Sequence, residues 1–233
     1  MSFTNPIARV SPWKKNLLRI MRITLLILGI SILVLGSGGT KVFGFMALLG
    51  LGVIYLPTLL NKDHLQVIPV EVEILFLLVI IFEYILGNTF GLYGRIHHYD
   101  NFMHFTIPLI VALIGMMFLY TAYVYGRIRT SLKIMAFLIV LITIGIGGIL
   151  EMVEYGYDNV IYPQIEDVMP TGLTQGSPTQ NGLDDTMNDL FTDALGGIFG
   201  AVIGVLLIKR AENRGQCMEW VDEFAQFEGF KKN

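Results

Sequence analysis

The feature that most constrains this chain is a set of long, largely apolar stretches that recur from one end to the other. They lie near 17–36, 40–60, 70–92, 102–125, 132–155 and 185–208, and a helix of about twenty apolar residues crosses roughly 30 Å of hydrocarbon. In lipid a chain must satisfy its own backbone hydrogen bonds, which leaves helices or closed barrels. The pattern therefore predicts an all-α, polytopic integral membrane bundle of six transmembrane helices. Composition agrees, with 54% hydrophobic and 15% charged residues among 233 and a mean hydropathy of +0.63. A soluble enzyme is excluded.

The breaks between runs carry turn chemistry: Gly36-Ser37-Gly38-Gly39, Asn61-Lys62-Asp63-His64, Tyr93-Gly94-Arg95, Gly126-Arg127 and a polar stretch from about Gly156 to Asp184. No internal repeat of 20–50 residues is visible. The reading divides the chain into an N-terminal segment 1–16, a transmembrane domain 17–208 and a tail 209–233. Basic residues precede the first run as in a signal peptide, but that run is long and no A-x-A-like site follows, so a retained anchor is expected. The tail places Trp220, Val221, Phe224 and Phe227 among acids, as an amphipathic helix would. Cys217 is the single cysteine, which excludes an internal disulfide and a Cys-cluster metal site.

Lys and Arg accumulate on the cytoplasmic side of membrane proteins. Five of them (Arg9, Lys14, Lys15, Arg19, Arg22) lie before or within the start of the first run, Lys62 follows the second, and Arg127, Arg129 and Lys133 lie between the fourth and fifth. Lys209, Arg210, Arg214, Lys231 and Lys232 follow the sixth, leaving only Lys41 and Arg95 opposite. Both termini are therefore expected in the cytoplasm of an inner or plasma membrane protein. The acids lean the other way, with Asp100, Glu151, Glu154, Asp158, Glu166, Asp167, Asp184, Asp185, Asp189, Asp193 and the more deeply set Glu83 on the outer side.

Several of these acids lie at membrane depth, where an ionisable group needs a partner, a protein interior or water. Asp185, Asp189 and Asp193 recur every four residues along one helix stripe, and Glu151 and Glu154 share a face at i, i+3. If the fourth helix extends back, His97, Asp100 and His104 also share a face. Carboxylates gathered this closely bind protons or invite a cation. Imidazole with carboxylates and no thiolate suits Mg, Mn, Zn or Fe. The candidate metal ligands are His97, Asp100, His104, Glu151, Glu154, Asp185, Asp189 and Asp193; the candidate catalytic residues are Asp100, His104, Glu151, Glu154 and Asp189. Helix capping is an equal reading for Asp100 and Asp184. Glu83 either joins the cluster, pairs with Arg95 or snorkels outward. Gly196, Gly200 and Gly204 make a small-residue stripe, which together with Gly145, Gly147 and Gly148 predicts contact between the fifth and sixth helices.

Three pieces carry a resemblance: His-His-Tyr-Asp-Asn-Phe-Met-His-Phe at 97–105, Glu-Met-Val-Glu-Tyr at 151–155, and the run from Gln180 to Gly200 containing Asp-Asp-Thr-Met-Asn-Asp-Leu. They resemble the H-Y-D-x-x-x-H-F, E-x-x-E-[WY] and D-[DT]-x-x-D motifs of the YjdF-like family of bacterial inner-membrane proteins, over about Phe82 to Leu207. More distantly the order is similar to VanZ-type membrane proteins, with Asp100, His104, Glu151 and Asp189 at the acidic and imidazole positions. Asn101 there replaces the usual Lys, and Asp193 a common Asn. The resemblance implies a multi-helix membrane protein with a polar site on the non-cytoplasmic side.

Three functions fit the residues. One is metal-dependent or acid-base chemistry on an envelope lipid or lipid-linked headgroup. A second is a proton-coupled transporter or permeability factor, and a third is a structural or assembly role for a polar knot between helices. No nucleotide-binding, zincin or serine-hydrolase motif is present, and without a basic outer patch no nucleic-acid partner is expected.

Overall fold

In a computed structural model, residues 11–60, 68–161, 182–214, 221, 222 and 225 are described, and every regular element among them is helical. The elements are α1 (Pro12–Leu35), α2 (Thr40–Leu60), α3 (Val70–Ile80), a π-helical continuation Ile81–Thr89, α4 (Leu92–Arg95), α5 (Tyr99–Val124), α6 (Leu132–Gly156), a π-helical turn Tyr157–Ile161 and α7 (Gly182–Asn213). Among the described residues, four helices are long and apolar enough to cross a membrane: Pro12–Leu35, Tyr99–Val124, Leu132–Val160 and Gly182–Asn213. Thr40–Leu56 is a shorter apolar helix.

The helix limits follow local chemistry. α1 begins at Pro12, before the first apolar run, because proline at the first helical position gives up only an N–H that would lack a partner anyway. The third run, expected to be one helix, divides. Its α-helix widens to π geometry at Ile81, and Gly91 at φ +68 then turns the chain into α4, a backbone conformation that costs glycine little. α5 starts at Tyr99, which draws Asp100 into its first turn.

The described residues fall into two compact units, one within Met1–Ile85, Met117–Ser131 and Leu207–Asn233, the other within Leu86–Met116 and Leu132–Leu206. The first has a core of α1, α2 and α3 side chains that includes Leu18, Leu25, Ala47, Leu51, Val70 and Leu77. α1 and α2 approach backbone to backbone, since a side chain on Gly44 would lie 2.9 Å from the carbonyl oxygen of Gly29. Polar bonds join the same helices. Arg22 of α1 donates through Nε and Nη2 to the two carboxylate oxygens of Glu73 of α3, each at 2.6 Å, and stacks 4.6 Å from the ring centre of Tyr55 of α2. Lys14, about two turns before Arg22 on α1, is paired with Glu71. Tyr120 donates to Glu212, and Tyr125 to Asp222, each at 3.0 Å. Val221 and Ala225, four apart on one helical face, are buried, as an amphipathic tail requires. Trp220, Phe224, Phe227 and Cys217 lie outside the described residues.

The second unit is α5, α6 and α7 packed through glycine. A side chain on Gly196 or Gly200 would run into the backbone of Phe105 or Leu109, and one on Gly204 would lie 2.9 Å from the Cβ of Met116. The glycine stripe of α7 therefore faces α5, where the sequence pattern had paired it with α6. α6 and α7 do meet, but through Gly197 against Thr143 and Gly147 against Asp193, while Gly145 and Gly148 face nothing within 4 Å. The remaining faces of α6 and α7 show exposed Phe137, Leu141, Ile149, Phe191, Phe199 and Leu206, an apolar surface suited to lipid.

Candidate functional site

One buried stripe of α6 changes character along its length: Met135 and Ile139, then Thr143 and Gly147, then Glu151 and Glu154. Intervals of three and four keep all six on one face. The stripe therefore ends with two carboxylates inside the second unit, where Glu151 is 5% and Glu154 6% exposed. On α5 the spacing of Asp100 and His104 sets the ring one turn beyond the carboxylate, and on α7 Asp189 and Asp193 repeat the interval. Both α7 acids are buried, each 1% exposed.

These side chains converge on the His104 ring. Nδ1 lies 3.2 Å from Asp193 Oδ1, within hydrogen-bond reach. Nε2 lies 3.8 Å from Asp100 Oδ1 and 4.0 Å from Asp189 Oδ2. Donor atoms of Asp100, His104 and Asp189 lie within 4.8 Å of one another, and so do those of His104, Glu151 and Glu154. Asp100 is the exposed edge of the group, its side chain 37% accessible. Neither oxygen of Asp189, nor Oδ2 of Asp193, has a hydrogen-bond partner among the described residues. A buried carboxylate left this way costs several kcal/mol, so the arrangement calls for a proton or a cation among these oxygens.

The residue types fit a divalent cation. Metal–nitrogen and metal–oxygen bonds near 2.1 Å put tetrahedral donors about 3.4 Å apart, so Asp100 and Asp189, at 3.8 and 4.0 Å from Nε2, must close by about half an ångström, and donors set as far apart as 4.8 Å by more. One nitrogen among carboxylates is a hard, oxygen-rich set of the kind that suits Mn, Fe or Mg, with Zn accessible. The proline within α5 adds to the polarity here: Pro108 has no N–H, which withdraws the usual helical bond from the carbonyl of His104.

The other sequence candidates are placed differently. His97 is exposed, precedes α5, packs its ring tilted against that of His98 with centres 3.8 Å apart, and belongs to neither three-residue donor group. His98 holds a positive φ of 64 and pairs with Asn101, so the chain turns there and the helix that would have aligned His97 with His104 does not extend back. Asp185 is half-buried one turn before Asp189, in neither three-residue group. Glu83 is half-buried in the first unit, whereas the carboxylates around His104 belong to the second. Asp184 is exposed in the first turn of α7. Glu166 and Asp167 lie outside the described residues. Sequence reasoning named Gly147 as a packing glycine between α6 and α7, and did not foresee that the group it admits is the Asp193 carboxylate. It also took Arg22 only as a topology signal and did not use Glu71 or Glu73.

A helical membrane protein with a histidine ringed by carboxylates from three helices is the class these features define. The chain belongs to the DUF2238 family, described as predicted membrane proteins, whose model matches residues 18–210. That family is consistent with the YjdF-like resemblance. The match begins at Leu18 and so takes in α1 and α2, which the motif comparison starting near Phe82 had left out. No curated protein and no solved structure matches the chain.

Proposed function

We propose that this is a six-span inner-membrane protein with both termini in the cytoplasm, and that the group around His104 holds one divalent cation near the outer leaflet for chemistry on an envelope lipid or lipid-linked headgroup. The supporting observation is Asp189, fully buried with both oxygens lacking a hydrogen bond and one of them turned toward His104 Nε2. The two three-residue groups share His104. With Nδ1 taken up by Asp193, the nitrogen left to the ring is Nε2, which faces Asp100 and Asp189. A bound cation would polarise an ester, phosphoryl or amide oxygen and supply an activated water.

The chain's own residues divide the remaining work. Asp189 and His104 supply buried donors, and Glu151 and Glu154, at the end of α6, are placed to take a proton from water or return one to a leaving group. Asp100, the accessible member, stands where a headgroup would enter. The VanZ-type likeness of Asp100, His104, Glu151 and Asp189 belongs with this reading.

Elemental analysis of protein purified in mild detergent tests the reading. The expected result is about one Mn, Fe, Mg or Zn per chain, as this donor set predicts, with most of it lost from Asp189→Ala. Wild-type protein that takes up none of these ions sinks the cation reading. Proton or solute flux in proteoliposomes, abolished by Glu151→Gln, would replace it with transport.

The topology has a built-in reporter, because Cys217 is the single cysteine. A membrane-impermeant maleimide is expected to spare it in intact spheroplasts and to label it in inside-out vesicles. Labelling in intact spheroplasts would place the tail outside and overturn the orientation.

A further inference from the structure

We infer that Asp193 is not a ligand to the cation but the carboxylate that sets the tautomer of His104, and that Gly147 is the notch that holds it in place; this rests on the cation reading above. A neutral imidazole carries a single N–H, and the bond made by one nitrogen decides what the other offers. Asp193 Oδ1 stands 3.2 Å from Nδ1 inside the bundle. With the proton on Nδ1, the ring donates to that carboxylate, and the lone pair of Nε2 points toward Asp100 and Asp189. With the proton on Nε2, two acceptors would face each other at 3.2 Å in a buried place, which is costly in low dielectric. The network thus selects the tautomer in which Nε2 is free to bind a cation.

The position of Asp193 is fixed from behind. A Cβ on Gly147 would occupy the space of the Asp193 carboxylate, with Oδ2 the nearest atom and Cγ at 2.8 Å. One oxygen is therefore turned to the histidine and the other is pressed against the backbone of α6. This leaves no oxygen of Asp193 on the Nε2 side, and Asp193 belongs to neither three-residue donor group. A ligating histidine commonly donates its second N–H to a carboxylate in this manner, and loss of that outer partner weakens metal affinity about 10–100-fold. Asparagine at 193 has the same shape but offers an N–H to Nδ1, which invites the opposite tautomer and blocks Nε2 with a proton.

The test uses full-length protein in nanodiscs, Mn2+ as the affinity probe and Zn2+ as the diamagnetic probe for 15N spectra of histidine-labelled protein. Asp193→Asn should bind Mn2+ about 10–100-fold more weakly than wild type. Gly147→Ala, which leaves every donor in place and displaces only Asp193, should weaken binding in the same direction. In wild type with Zn2+ bound, the His104 signals, identified by their loss in His104→Gln, should show the proton on Nδ1 and the metal on Nε2. That measurement needs no Asp193 variant, so the inference stays testable if Asp193→Asn fails to fold. Mn2+ affinity in Asp193→Asn within about twofold of wild type, or a wild-type spectrum with the metal on Nδ1, overturns the role of Asp193 while leaving the cation reading intact. Wild-type protein that binds neither ion overturns both.

Discussion

Arg22→Met alone is expected to destabilise the protein by about 3–5 kcal/mol, the cost of leaving a buried charge without its partner. Glu73 is 2% exposed and receives two hydrogen bonds from the Arg22 guanidinium at 2.6 Å. That fork satisfies both oxygens with a geometry lysine cannot reproduce. The guanidinium also stacks on Tyr55, so one side chain ties α1 to both α2 and α3. Removing it leaves an anion among the apolar core of the first unit. Arg22→Met/Glu73→Met should recover most of the loss, because replacing both partners removes the charge together with its need. Thermal unfolding of detergent-purified single and double variants reads this directly. Equal stability of Arg22→Met and wild type would mean that water reaches Glu73 and that the knot is dispensable.

Why this pair escaped the sequence while the His104 group did not has a physical answer. Asp189 and Asp193 interrupt an apolar helix at a regular interval, and periodicity carries that signal without knowledge of the partner. Glu73 lies in the first turn of α3, where charge is ordinary, and Arg22, about midway along α1, reads as one more of the basic residues that open the first run; only packing of α1 on α3 reveals that the two meet. The division of the third run was hidden for a related reason: apart from Glu83, apolar and aromatic residues continue through Ile81–Leu86 whether the backbone is α or π. His97 was grouped with His104 on the assumption of unbroken helix, and the turn at His98 depends on a backbone angle that composition does not encode. The convergence of Asp100, Glu151 and Asp189 on His104 was legible because each lies on a long, strongly patterned helix. The partner of the glycine stripe was not, because a small-residue face states that something packs closely and leaves open which helix it is.

That partner makes the second large effect predictable. Gly196→Ala and Gly200→Ala are expected to lose stability and cation binding together, whereas Gly145→Ala and Gly148→Ala should leave binding unchanged and stability unchanged or slightly raised. A Cβ at 196 meets the backbone of Phe105, and one at 200 meets the backbone of Leu109 and the Cβ of Ala112 at 2.8 Å. Backbone has no rotamer to move aside, so α5 and α7 must separate, at a cost of about 1–3 kcal/mol or more. Phe105 follows His104 in sequence and Gly196 follows Asp193 by three residues, so separation at that point acts on the 3.2 Å contact between His104 and Asp193. It acts equally on the 4.0 Å approach of Asp189 to Nε2. Gly145 and Gly148 face open space, where alanine is the better helix former by about 1 kcal/mol. Mn2+ titration and thermal unfolding of the four variants separate the cases. If Gly196→Ala binds Mn2+ as wild type does, the site does not depend on the α5–α7 contact, and the cation must be held chiefly by Glu151 and Glu154 of α6.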